Sequence, residues 1–183
     1  TIEPRKAWSY NPGQRRTRRA PDIAYDNPGF NTDGMSTADS FTGFNGALDR
    51  YDWSFKGKSV KFVPYNSYDV VNSKYDQLIK PKHLNQDLVR YEPHRVYTIE
   101  AKLKPGQRHV YARRVLHIDE DSWGILSGEL YDGRGGLWRF QEIHNINFYQ
   151  VPLCFGIGEM VYDLTGGGRY LAGSLINEEA PFN

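Results

Sequence analysis

Three histidines, His94, His109 and His117, are the residues of this 183-residue chain best suited to hold a metal or move a proton. Read on one strand, His109 and His117 lie eight residues apart, or about 26 Å at ~3.3 Å per residue, and cannot share an ion. His94 and His117 face each other across the first hairpin of the register given below, close enough for one. Two imidazoles without a third ligand make only a weak site, and a solvated sheet face accounts for them. The expectation is no metal site and no cofactor.

Catalytic patterns are equally scarce. The chain has no Gly-x-Ser-x-Gly elbow, no His-Glu-x-x-His and no phosphate-binding P-loop. Glu92 with Glu100, and Asp119 with Asp121, are carboxylate pairs, but the second pair sits in a turn. Gly133-Arg134-Gly135-Gly136 reads as a hairpin loop before it reads as an anion cradle. Cys154, the single cysteine, lies beside Pro152 and Phe155 as a small core residue would. It excludes an internal disulfide. No enzyme is expected from these residues.

Two charged features call for positioning. Arg114 and Glu129 fall on the apolar face of the expected sheet as diagonal neighbours, with Arg95 and Glu142 charged there as well. Charges on such a surface require partners. They either lock the register or line a cavity and orient a polar head group. The run Arg15-Arg16-Thr17-Arg18-Arg19 would put arginine on both faces of a strand, as a solvated edge or a docking surface does. Nothing able to stack on bases repeats beside it, and the net charge is only +1, so no nucleic-acid partner is expected.

The elements that must carry these residues are mostly strands. Aromatic residues make up 14% of the chain and glycines number 18, a strand-and-turn composition. No stretch approaches 18 uninterrupted apolar residues, so no helix is expected to span a bilayer. Ala7 to Tyr10 and Gln14 to Arg19 form two short strands around Asn11-Pro12-Gly13, and Pro21 to Asn45 reads as loop with one helical turn after Ser36. Trp53 to Phe62 reads as a hairpin around Lys56-Gly57-Lys58, ending at Pro64, and Ser73 to Leu78 as a helix that Pro81 ends.

Between His94 and Phe148, turn clusters at Lys104–Gln107, Asp119–Ser122 and Gly133–Gly136 mark out four strands of an antiparallel meander. Symmetric four-residue loops put His94 opposite His117, Ile118 opposite Trp123 and Tyr131 opposite Trp138. One face then collects Tyr97, Ile99, Ala112, Arg114, Leu116, Trp123, Ile125, Glu129, Tyr131, Trp138 and Phe140, the candidate ligand-binding face. Glu159 to Leu164 and Arg169 to Ile176 add two strands around Gly166-Gly167-Gly168. The fold expected from the residues is mainly β with short helices.

Several blocks of this sequence resemble a known family. They are Arg15 to Asp22 with Tyr25-Asp26; Asp49 to Trp53 with Val63 to Asn66; and a third set of His83-Leu84-Asn85, Arg90-Tyr91-Glu92, His94-Arg95-Val96, Lys104 to His109, Tyr111 to Arg114, Asp119 to Trp123 and Tyr131 to Gly135. From about residue 8 to about residue 150 the chain is similar to the bacterial family labelled domain of unknown function 1329. The resemblance implies that residues 1–183 form a single domain, the C-terminal part of a longer protein. The chain also opens on Thr1, without an initiator methionine, as a processed or proteolysed fragment would.

The resemblance further implies a curved antiparallel sheet, a half-barrel like that of Lol-type lipoprotein carriers, in exported proteins of Gram-negative bacteria. Its implied function is a periplasmic or outer-membrane-associated carrier of a lipid-like, hydrophobic molecule, serving an RND-type exporter. The alternatives are a non-enzymatic adaptor docking on an exporter or outer-membrane complex, and an enzyme using the His94/His117 face.

Overall fold

Runs that alternate bulky and polar residues between glycine-rich turns favour pleated strands. In the computed structural model of the chain, which describes residues 6–20 and 25–176, they build one large sheet. Its strands are β3 (Tyr51–Pro64), β6 (Tyr91–Leu103), β7 (Arg113–Asp119), β8 (Ile125–Tyr131), β9 (Leu137–Phe148), β10 (Leu153–Asp163) and β11 (Tyr170–Gly173), in the order β11-β10-β9-β8-β7-β6-β3. Every pairing is antiparallel. The sheet keeps two edges, β3 and β11, and is not closed into a barrel. β1 (Ala7–Asn11) and β2 (Arg16–Ala20) pair as a separate ribbon, with Arg16 and Arg19 exposed. Pro21 to Ala24, where the predicted loop begins, lie outside the described residues.

Two local expectations change. Residues 51–64 form one strand rather than a hairpin. Lys56 is a bulge in its pairing with β6, and Gly57 takes a φ of +109° that a side chain would resist. The predicted helix from Ser73 is shorter, α2 (Tyr75–Leu78), and follows another, α1 (Tyr68–Asn72). Two-residue strands β4 (Ile79–Lys80) and β5 (His83–Leu84) follow.

The meander from β6 to β9 is present, but its register departs from symmetric loops at the first two turns. Thr98, not His94, faces His117. Ile118 faces Ile125 instead of Trp123, and His117 faces Ser127 across a bulge. The third hairpin keeps the expected register from Ser127↔Glu142 to Leu130↔Arg139, then slips so that Tyr131 meets Leu137.

Alternation then defines two faces. The first carries Tyr97, Ile99 and Ala101 on β6, Arg114, Leu116 and Ile118 on β7, Leu130 on β8, and Arg139 and Gln141 on β9. The second carries Thr98, Glu100, Val115, His117, Ser127, Glu129, Phe140 and Glu142, continuing into Met160 and Tyr162 on β10. Arg114 and Glu129 are therefore on opposite faces.

The second face is partly roofed by the short helices. Val70, Leu78 and Leu84 pack against Ile146, Ile157 and Met160, and at the other end Val63 and Tyr65 pack against Val96 and Leu126. Each such side chain, fully buried, contributes about 1.5–3 kcal/mol. The sheet bends toward this face. Val63 of β3 and Leu126 of β8 share one packed cluster on it, although three strand spacings of a flat sheet amount to about 14 Å.

Candidate functional site

The centre of the first face is sealed. Residues 35–44 lie across it and place Asp39 against Arg114, Nη2 to Oδ2 at 2.7 Å, with both side chains shut off from water. His109 accepts the Tyr111 amide on Nδ1 and donates from Nε2 to Asp39 at 2.9 Å. Burial alone would raise the Asp39 carboxyl. The His109 hydrogen bond and the Arg114 guanidinium outweigh burial and hold it at about 2. Arg139 donates to the Tyr111 hydroxyl and the Gly34 carbonyl, and Gln141 to the Ser40 carbonyl. A charged network this dense fixes the loop and the sheet to each other.

Beyond the sealed centre, the first face keeps an exposed aromatic group. Trp123 stacks on Tyr97 with centroids 5.4 Å apart, and Phe55 leans on the same ring at 6.1 Å. Trp123 and Phe55 are 71% and 63% exposed.

The bent second face has a floor of mixed character. Val115, Phe140, Tyr131 and Tyr162 are half-buried among titratable groups. His117 is buried, 3.3 Å from the Thr98 hydroxyl and 3.7 Å from Glu129 Oε1, and burial first, then Lys61, depress its pKa. Glu142 accepts the Tyr91 hydroxyl, and burial raises its carboxyl. Burial and the Glu142 charge also raise the Tyr162 phenol. His144, whose Nε2 is 3.8 Å from Glu142, is buried and held neutral down to about 4. Near neutral pH these groups present mainly neutral imidazoles and phenols beside aromatic rings, a surface that can take an apolar body and orient a polar end.

The residues expected to share one cavity face do not. Tyr97, Ile99, Arg114, Leu116 and Ile125 lie on the first face, where Ile125 meets Gly43 of the covering loop. Trp138 packs there at a tilt against Tyr111 and donates to Asp163, while Trp123 belongs to the β7–β8 turn. Ala112 precedes β7 and is not mid-strand. Glu129, Tyr131 and Phe140 lie on the second face, because the bulge after His117 turns the expected alternation over. The bulge also removes the Arg114–Glu129 pair.

Glu142, expected on the same face as Arg114, lies on the second face, and Asp39, His144 and Asp119 are not among the expected cavity residues. Asp39 sits in a stretch without periodicity, so nothing local marks it. Asp119 was legible as part of an acidic turn. The structure also separates His94 from His117 and brings it beside Asp119 and Asp121, with one ligand atom from each within 4.8 Å of the others.

A family model described as "Protein of unknown function (DUF1329)" matches residues 1–183. An uncharacterized protein of Pseudomonas aeruginosa is 51% identical over 179 residues, which is 97% of this chain and 39% of that protein. This chain thus spans well under half of that relative. Among solved structures, a proposed outer membrane lipoprotein-sorting protein domain from Vibrio parahaemolyticus superposes with a TM-score of 0.52 at 13% identity, covering 87% of this chain and 53% of that one. A DUF1329 family protein from Desulfovibrio piger superposes with a TM-score of 0.49 at 14% identity, covering 86% and 52%.

Proposed function

The chain belongs to the DUF1329 family, and from that premise and its fold we propose that it is part of a periplasmic carrier for a hydrophobic or lipid-like molecule. The observation that carries this reading is the open, bent sheet, which shares its fold with the Vibrio lipoprotein-sorting domain. A bent sheet with free edges offers a long concave floor, and apolar ligands bind such floors by area with a few polar groups setting orientation. The ligand is assigned to the second face, over Val115, Phe140 and Tyr131, with Glu129 and His117 at its polar end. Delivery to an RND-type exporter or an outer-membrane complex of a Gram-negative cell is the transport role this fold suits. The reading is of a binding protein and not an enzyme, since the acids and imidazoles of this face contact tyrosine, threonine and serine hydroxyls that hold the sheet's shape.

Native mass spectrometry and an apolar fluorescent probe, applied to the full-length protein, test it. Co-purified lipid and probe binding are expected, with Phe140→Asp weakening the probe at least tenfold and Phe55→Asp, on the other face, leaving it unchanged. An empty protein that binds no probe overturns the carrier reading. A second reading, a non-enzymatic adaptor, is favoured by the exposed Phe55–Tyr97–Trp123 group beside edge strand β3. Exposed aromatic clusters of that kind mark protein contacts. In that case Phe55→Asp abolishes capture of an exporter or outer-membrane partner, and Phe140→Asp does not.

A further inference from the structure

We propose that His94, Asp119 and Asp121 form a binding site for one divalent cation of the zinc class. The argument rests on the arrangement around Asp119 and is independent of the carrier reading. Asp119 is the last residue of β7 and its side chain is fully buried. Its two oxygens have opposite surroundings. Oδ2 is saturated: it accepts the Ser122 amide at 2.9 Å, the Ser122 hydroxyl at 2.7 Å and the Tyr65 hydroxyl at 3.3 Å. Among the described residues, Oδ1 accepts no hydrogen bond. A buried carboxylate oxygen left without a donor is costly and uncommon, and a bound cation satisfies it.

His94 is set for the same ion. Its Nδ1 is 3.3 Å from Asp119 Oδ1, and its Nε2 is 3.4 Å from Glu92 Oε2. Bonds of about 2.0–2.2 Å to a tetrahedral ion place neighbouring ligand atoms about 3.3–3.5 Å apart, so the Nδ1–Oδ1 edge needs no rearrangement. A carboxylate on the far nitrogen is the usual outer partner of a metal-bound imidazole, fixing its tautomer and raising its basicity. Glu92 is itself held by the Asn66 amide at 2.9 Å and by Arg90 at 2.7 Å. The Tyr65 ring stacks on the His94 ring with centroids 3.9 Å apart, which fixes the plane of the imidazole. The ligand edge and the groups that orient it are therefore both built. Asp121, exposed on the turn, is free to swing the small remaining distance.

One imidazole nitrogen and two carboxylate oxygens make a borderline donor set, suited to zinc and poorer for calcium, which takes six to eight oxygens. Asp121, Ser122 and Tyr65 also border an open cavity of about 450 Å³ that continues over Phe148, Leu153 and Cys154. The Asp121 side of the site thus opens on that cavity, from which water would supply the fourth ligand.

The test is isothermal titration of ZnCl2 into tag-free full-length protein stripped with a chelator, paired with the visible spectrum of the Co2+-substituted form. One ion per chain is expected, with calcium at least tenfold weaker. Asp121→Ala and His94→Ala should each weaken zinc at least tenfold and alter the cobalt bands, and Glu92→Gln should weaken it about 10–100-fold. Asp121 is exposed, so its variant keeps the fold, and thermal unfolding of the stripped variants confirms that. Absence of zinc binding overturns the proposal. So does zinc binding of unchanged affinity in both Asp121→Ala and His94→Ala, which would locate the ion elsewhere.

Discussion

Arg114 and Asp39 meet at 2.7 Å with both side chains buried, although 75 residues of sequence separate them. The pair attaches the loop of residues 35–44 to the middle of the sheet and decides which face is closed. Removing the acid strands a guanidinium in a dry site, where loss of one member of a buried pair costs about 3–5 kcal/mol. Asp39→Ala should lower the unfolding free energy in urea by that amount. Asp39→Leu combined with Arg114→Met should recover most of it. A loss below ~1 kcal/mol for Asp39→Ala would mean that water reaches the guanidinium.

The same pair has a pH signature. The Asp39 carboxyl stands at about 2 in the folded protein, against an ordinary value near 3.9. Between those values the unfolded chain binds the proton first, so the contribution is complete above about pH 4 and is lost as pH falls toward 2. Asp39→Asn should flatten that part of an acid-unfolding curve. An unchanged slope in the variant would assign the acid sensitivity to other carboxyls.

His144 gives a second pH dependence, in a higher window. Burial holds its imidazole at about 4, against 6.5 when unfolded. The unfolded state therefore binds the extra proton between those values, and stability falls as pH drops from about 6.5 to 4. The neighbouring Glu142, raised by burial, acts in the opposite sense, losing its contribution as pH rises. A difference measurement isolates the histidine. The stability gap between wild type and His144→Gln should shrink as pH falls from 7 to 4.5, and a constant gap would contradict a buried, neutral His144.

How far the sequence could be read turns on three loops. The turn at Gly133–Gly136 departs from the expected one only by the slip at Tyr131, so Glu129 opposite Phe140 followed from spacing alone. At the first loop, His109 and Tyr111 leave the strand to pack around Asp39 and Arg114, which moves the register by four residues. Four is even, so β6 and β7 kept their expected faces. At the second, Trp123 takes a φ of +59° and Leu126 bulges between Ser127 and Ile125. That odd shift turned Glu129, Tyr131 and Phe140 to the other face. Positive φ at tryptophan has no composition signal, and a partner 75 residues away has none either. The strands were legible. The site, which depends on parity and on distant pairing, was not.

Glu129 should behave unlike Asp39. Its side chain is 29% exposed and its contacts are His117 at 3.7 Å and the Tyr131 hydroxyl. Ion pairs open to water contribute about 0–1 kcal/mol. Glu129→Ala should therefore shift the urea midpoint only slightly. A loss as large as that of Asp39→Ala would show that the second face is roofed in the intact protein and buries this carboxylate.

The seating of the covering loop can be tested at Gly43. Its φ is +91°, and a Cβ placed there would lie 2.5 Å from Cγ2 and 2.7 Å from Cβ of Ile125. Alanine meets two obstacles, a backbone region that L-residues occupy at a cost of about 1–3 kcal/mol and an overpacked contact costing about the same. Ile125 is on the first face in β8, so its position is fixed by the sheet and the loop must yield. Gly43→Ala should destabilise by about 2–4 kcal/mol in a denaturant titration. Ile125→Gly removes the Cγ2 and Cβ atoms that obstruct the new methyl, so it relieves the steric part only, and in the Gly43→Ala background it should be markedly less damaging than alone, a coupling of about 1 kcal/mol or more in the double-mutant cycle. Strictly additive effects would mean that the loop does not rest on Ile125, and the sealed first face would lose its evidence at that end.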